Sequence, residues 1–256
     1  MELTKAQRKR FASLSTNKGR RELGLFTAEG TKCVLEAVGA FEVDTILTTA
    51  DWLAEHSEAL PTGAPVTEVR RADLIEISSL STPPDVIAVY RIPDNNFSAP
   101  KPSELSIALD RIQDPGNLGT IIRIASWMGI SDVYCSTDTV DVYNPKVVQA
   151  TMGAIARVRV HYVDLPALLA DATSCGTAVY GTFLDGKDIY ETPLTPGGIV
   201  VMGNEGNGIS EAVSRHIDRR LFIPSYPPGQ PAIESLNVSV ATAITIAEFR
   251  RRQYNH

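Results

Sequence analysis

At 256 residues, 43% hydrophobic and 21% charged, the chain is long enough for one large or two modest cores, and its composition excludes a disordered or fibrous protein. No apolar run reaches the length of a membrane span, and none follows the basic residues of the N-terminal MELTKAQRKRF. The expectation is a cytoplasmic protein with neither a span nor a secretory signal. A net charge of −6 argues weakly against nucleic acid, but its distribution says more. Residues 1–21 hold seven bases and one acid, a balance of +6, against −12 in the other 235 residues. Such a cluster is either a phosphate footprint or a solvated face. The three cysteines are far apart and expected as reduced thiols, and the four histidines show no metal spacing, so no metal is expected.

In chain order, residues 4–21 read as helix. Phe26 to Gly30 leads into a second helical stretch, 30–38. Strands follow at 43–49, 64–69 and 85–92, with helices at 51–60 and 71–80. This alternation predicts a small α/β or α+β domain over 1–95. The stretch PDNNFSAPKPS (93–103), with three prolines and two asparagines, reads as an interdomain linker, set at 96–104. From 105 to 256 the alternation sharpens. Strands are expected at 105–110, 132–135, 177–183, 198–202 and 220–223, with helices at about 117–128, 144–153, 165–173, 208–215 and 236–252. Short apolar strands followed by helices predict an α/β fold whose parallel sheet is covered on both faces, with ligands at the carboxyl ends of the strands.

Three loops lie at those ends. In DPGNLGTIIR (114–123), Asn117 reads as a helix N-cap. Gly119 clears the helix face that Arg123, four residues on, must cross. An arginine among Leu118, Ile121, Ile122 and Ile124 should be functional or ion-paired, for example to Asp110 or Asp114. In MGNEGNGIS (202–210), three glycines surround Glu205, either to admit a bulky ligand against bare backbone or as a simple strand-to-helix turn. In the third, prolines 224, 227, 228 and 231 stiffen the approach to Ser235, Leu236 and Asn237. These either cap or serve the apolar helix that follows. No G-x-G-x-x-G is present, which excludes the Rossmann reading.

Taken together and in this order, three patterns resemble the motifs of the SpoU/TrmH family of SPOUT-class RNA methyltransferases. They are Asn117-x-Gly119-x-x-x-Arg123, Gly203-x-Glu205-x-x-Gly208, and Ile223-Pro224 followed by Ser235-Leu236-Asn237. NPKVVQATMGA (144–154) is similar as well. The stretches FTAEGTKCVLEAV (26–38) and LSTPPDVIAVY (80–90) resemble, more weakly, a ribosomal-protein-like substrate-binding domain. The resemblance implies S-adenosylmethionine as cofactor, methyl transfer to a ribose 2′-hydroxyl of structured RNA, a homodimer and a C-terminal trefoil knot. It implies Arg123 as the central catalytic residue, with Asn117, Glu205, Ser235 and Asn237 around it. The cofactor is expected against Gly203, Asn204, Glu205 and Gly208, near Ile223, Leu236 and Asn237, with Thr182, Phe183 and Leu184 as a further lining. RNA contacts are expected from Lys5, Arg8, Lys9, Arg10, Lys18, Arg20 and Arg21. The appended domain favours ribosomal over transfer RNA, the alternatives being a transfer-RNA enzyme or a non-catalytic RNA-binding or assembly protein. One departure is visible. The segment 225–234 is longer than usual for the family and has Ser225 where methionine is the rule.

Overall fold

The computed structural model describes residues 2–94, 97–227 and 235–254. By contacts the chain forms two compact units, one of Met1–Asn95 with Asp141–Arg157, the other of Asn96–Val140 with Val158–His256. The first unit holds α1 (Lys5–Ala12), α2 (Asn17–Leu23), β1 (Leu25–Glu29), α3 (Thr31–Ala37), β2 (Val43–Thr48), α4 (Ala50–His56), β3 (Val66–Glu68), α5 (Arg71–Ile77) and β4 (Val86–Arg91). The second holds β5 (Leu105–Asp110), α6 (Pro115–Trp127) and β6 (Asp132–Ser136). Then α7 (Pro145–Thr151) runs inside the segment that belongs to the first unit. The second unit resumes with β7 (Arg159–Val163), α8 (Leu165–Ser174), β8 (Val179–Asp188), β9 (Gly198–Gly203), α9 (Glu211–Ser214), β10 (Arg219–Phe222) and α10 (Val238–Tyr254).

The N-terminal helix is not continuous as expected. Thr4 opens α1 with a reciprocal capping box to Gln7. The helix then stops where the hydroxyls of Ser13, Ser15 and Thr16 donate to the carbonyls of Arg10, Ala12 and Ser13, competing with the helical ladder. Thr16 caps α2 afresh. Gly19 permits this corner, because a Cβ there would lie 2.1 Å from the Ser13 carbonyl oxygen. Residues 25–29, read as a lead-in to helix, form β1, buried along its whole length and antiparallel to β4. The sheet order is β1-β4-β2-β3, with β2 and β3 parallel. Phe11, Leu14, Leu25, Leu47, Leu74 and Ile87 fill the core beneath α1 and α5.

Within this unit α7 packs against β1, and the Tyr143 ring lies 4.7 Å from that of Phe26. Arg20 is 2% exposed. Its Nε and Nη2 donate to Asp141 Oδ2 at 2.9 and 2.6 Å, and its Nη1 to the Leu14 carbonyl at 2.9 Å. The expected RNA contact from Arg20 is therefore corrected: this guanidinium is spent inside the unit.

The second unit's six strands are all parallel, in the order β10-β8-β9-β5-β6-β7. By the pleat, Ala108, Tyr134, Val179, Ile199 and Val201 face α8 and α9, forming one core with Leu168, Leu169 and Val213. The opposite face carries α6 and α10, with Phe249 edge-on to Tyr180 at 5.0 Å. β7 was missed because it is an edge strand of mixed polarity, Arg159 to Val163, in which only His161 is fully buried. β5 pairs with β6 on one side and β9 on the other, placing the reversal of strand order between β5 and β9. No described helix is long and apolar enough to cross a membrane.

α10 is the apolar helix expected after Asn237. It buries Val238, Ile246 and Phe249 while Val240 stays 46% exposed. The three arginines at its end find specific partners. Arg250 donates to the carbonyls of Met128 and Gly129 behind α6. Arg251 and Arg252 converge on buried Glu248, and Arg252 also reaches the carbonyls of Ile189, Tyr190 and Thr192. The Arg251 guanidinium, with help from Arg252 and against the opposing effect of burial, holds the Glu248 carboxyl at about 2. A depressed folded pKa gives stability above the unfolded value that is lost as pH falls through the folded one. Glu248→Gln is expected to melt below the wild type at pH 7, with the gap closing between about pH 4.5 and pH 2. Thermal denaturation followed by circular dichroism across that range checks it.

Candidate active site

The ends of β5 and β9 are in register, Asp110 opposite Gly203, and the first two motif loops leave from these residues. Asp110 is 2% exposed, and its Oδ2 accepts from the Ser210 amide at 2.5 Å, closing the far end of the glycine loop back onto β5. Within that loop Asn204 is an internal brace. Its backbone N–H and carbonyl both pair with Gly208, its Oδ1 accepts from the amides of Gly206 and Asn207, and its Nδ2 donates to the Arg111 carbonyl at 2.8 Å. The side chain expected to line a cofactor is thus committed to the loop itself. Gly208 sits at φ +64, and a Cβ on Gly203 would lie 2.3 Å from the backbone of Gly208 and Ile209.

Asn117 is not the N-cap of α6. Asp114 is, accepting from the Asn117 amide at 2.8 Å, with Pro115 in the first helical position. The aspartate one residue before a proline was the available signal. Relieved of capping, the Asn117 side chain turns to the other two loops. Its Nδ2 donates to Glu205 Oε1 at 2.6 Å, and its Oδ1 accepts from Asn237 Nδ2 at 2.9 Å. Asn237 caps α10. Its Oδ1 accepts from the amides of Ser239 (2.9 Å) and Val240 (3.3 Å) and from the Ser239 hydroxyl. One hydrogen-bonded chain therefore joins Glu205, Asn117 and Asn237.

Arg123 is exposed, and among the described residues it has neither ion pair nor hydrogen bond. The structural pairings weighed for it are not formed. Asp110 is held by the Ser210 amide beside Arg111, and Asp114 by the Asn117 amide. Gly119, one turn earlier, is buried. Ser235 is exposed and stands outside the hydrogen-bonded chain. Of the 225–234 segment, residues 228–234, including Pro228 and Pro231, lie outside the described residues. Leu236 is 43% and Leu184 72% exposed, large apolar groups left uncovered, while Ile223 is half-buried. Thr182 donates to Met202 Sδ at 3.7 Å. The Phe183 ring lies 3.5 Å beneath the Arg220 guanidinium, which salt-bridges Asp185 at 2.5 Å.

In the first unit, Arg8 is tied to buried Asp73 at 3.2 Å and to Glu76 at 3.4 Å, and Arg10 to Asp44 at 3.5 Å. Lys18 pairs with Glu22 at 3.7 Å on an exposed face. Lys5, Lys9 and Arg21 are exposed with no ion pair among the described residues. The basic cluster is thus split. Arg20 and Arg8 hold the unit together, and the lysines with Arg21 remain open to an anion.

A family model described as the SpoU rRNA Methylase family matches residues 104–247, and one described as an MRM3-like substrate binding domain matches residues 5–88. The 23S rRNA (guanosine(2553)-2′-O)-methyltransferase RlmP of Bacillus subtilis is 31% identical over 243 residues, 94% of this chain and 95% of its own. Among solved structures, a protein assigned to the TrmH family of RNA methyltransferases from Porphyromonas gingivalis superposes with a TM-score of 0.87 at 40% identity, covering 98% of this chain and 99% of that one. An AdoMet-bound rRNA methyltransferase from Sinorhizobium meliloti gives 0.83 at 28% identity, with 98% of both chains covered.

Gly203→Ala tests how closely the loop is packed. The added methyl meets backbone, which no side-chain rotation relieves, so a loss of about 1–3 kcal/mol is expected. Chemical denaturation of the variant and the wild type measures it.

Proposed function

The chain belongs to the SpoU rRNA Methylase family, and from that premise we propose that it is an S-adenosylmethionine-dependent methyltransferase acting on a ribose 2′-hydroxyl of ribosomal RNA. The observation that carries this reading is the chain Glu205–Asn117–Asn237, which joins all three motif loops at the β5/β9 reversal. The residues present suit the cofactor: Gly203, Gly206 and Gly208 leave backbone bare in the second motif loop, and Leu236 and Leu184 are apolar groups left uncovered for a purine. When bound, S-adenosylmethionine supplies a methyl group activated on a cationic sulfur. The ribose oxygen gains that carbon as the carbon–sulfur bond breaks, and its proton must go to a base.

A guanidinium holds its protons too tightly to serve as that base. In this reading Arg123 grips the phosphate next to the reacting ribose and the oxygen as negative charge develops there. Glu205 takes the proton on Oε2, which has no hydrogen bond among the described residues, while Asn117 steadies Oε1. Asn237, fixed by α10, sets the orientation of Asn117.

Ribosomal rather than transfer RNA is favoured by the match of residues 5–88 to a substrate-binding domain and by the likeness to RlmP over nearly the whole chain. On this reading 1–95 holds RNA, using Lys5, Lys9, Lys18 and Arg21, and 96–104 joins it to the catalytic domain, 105–256. We further infer a cytoplasmic homodimer with a C-terminal knot. The exposed Trp127 and Val240 support an interface. That β10 is an edge strand while α10 packs on α6 and β9 supports the knot.

Calorimetric titration with S-adenosylmethionine and 2′-O-methyl mapping of total RNA, with and without the protein, test the activity. Failure to bind the cofactor at low millimolar concentration, or an unchanged methylation map, would sink it. Arg123→Ala is expected to lower the methyl-transfer rate roughly 10²–10³-fold while leaving cofactor affinity unchanged. Arg123→Lys should recover only part of that loss, and full recovery in single-turnover assays would remove the role of the planar fork.

A further inference from the structure

Arg111, the residue after Asp110, occupies the left-handed region at φ +59. For a long unbranched side chain this conformation is disfavoured, and glycine or asparagine would take it more readily. Both of its backbone polar groups are clamped. Its N–H donates to Ser136 Oγ at 2.8 Å, and its carbonyl accepts from Asn204 Nδ2 at 2.8 Å. The strained backbone is thereby over-determined by the end of β6 and by the glycine loop, a pattern that accompanies functional sites.

The side chain shows what the strain is kept for. Its Nε is buried without a hydrogen bond, 3.4 Å from Asp110 Oδ1. Asp110 pairs with one edge of the guanidinium only, its other oxygen accepting from the Ser210 amide. The terminal nitrogens Nη1 and Nη2 have no partner among the described residues, and the side chain is 33% exposed. A fork on a clamped backbone, with its two terminal nitrogens free, fits a phosphate bidentately. Two side-chain bonds tie its loop to the Glu205 loop, Asn204 to the Arg111 carbonyl and Asn117 to Glu205, so Arg111 stands at the rim of the same site.

We propose that Arg111 is an RNA-binding residue that grips a backbone phosphate flanking the reactive ribose, separately from Arg123. This rests on the reading of RNA as substrate. The measurement is equilibrium binding of a 23S ribosomal RNA transcript across a salt series for the wild type, Arg111→Gly and Arg111→Lys, with S-adenosylmethionine affinity and methyl-transfer kinetics alongside. Arg111→Gly relieves the backbone and should raise the melting temperature. It should weaken RNA binding roughly tenfold and flatten the salt slope by about 0.7–0.9, with a higher KM for RNA, a nearly unchanged kcat and unchanged cofactor affinity. Arg111→Lys should keep most of the salt slope and lose part of the affinity. If Arg111→Gly binds the transcript like the wild type, or alters only cofactor affinity or stability, the inference is wrong. If the wild type itself does not bind RNA, the substrate reading fails and takes the inference with it.

Discussion

Asn237 can face Asn117 in only one way. Its carbonyl oxygen is drawn to two backbone amides at the start of α10, so its amino group must point outward. Asn117 then has to present its oxygen to Asn237, which leaves its own amino group for Glu205. A helix cap therefore dictates, through two amide side chains, how a carboxylate sits on a different loop. Neutral amides suit this relay because each carries a donor and an acceptor at fixed separation. A carboxylate at position 117 would have no donor for Glu205, and an ammonium no acceptor for Asn237, so either would break the sequence.

The sheet makes the relay possible. β5 and β9 are neighbours in register although 93 residues separate Asp110 from Gly203, and their loops emerge side by side. Asp110 strengthens that adjacency by binding the Ser210 amide, and Asn204 by binding the Arg111 carbonyl. Close packing explains the glycines selectively. Gly203 is demanded by backbone contact at 2.3 Å and Gly208 by its positive φ, whereas a Cβ on Gly206 would meet only the Asn204 oxygen at 3.6 Å. One of the three glycines in the stretch is therefore not required by packing within the chain.

Much of the second unit was legible because its strands are short apolar runs between turn formers, and burial on both faces leaves such runs little else to be. The parallel sheet, its helices and the three loops at the strand ends follow from that pattern. What escaped was governed by side-chain competition that periodicity does not register. β7 is half polar because it is an edge, and β1 was hidden by Thr27 and Glu29. Glu29 is a buried acid, accepting from the hydroxyls of Ser78 and Ser79, and is tolerated in a strand only for that reason. Asn117 was misplaced as a cap because Asp114 and Pro115 do that work. Arg20 looked like part of a solvated basic face until its partner Asp141, 121 residues away, accounted for it.

That pairing also changes the meaning of the charge distribution. Of seven N-terminal bases, Arg20 and Arg8 are consumed by Asp141 and Asp73, so the outward-facing charge is smaller than the sequence balance of +6 suggests. The chain outside the segment is strongly acidic, which repels a polyanion from most of its surface. Arg123 and Arg111 lie in that acidic part, and each keeps guanidinium nitrogens without a partner among the described residues. The carboxylates considered as partners of Arg123 are occupied by backbone amides, and Arg111 is held by Nε alone with its outer edge open. Guanidinium donors thus stay open at the site in a negative background, which favours an anionic strand there over the rest of the surface.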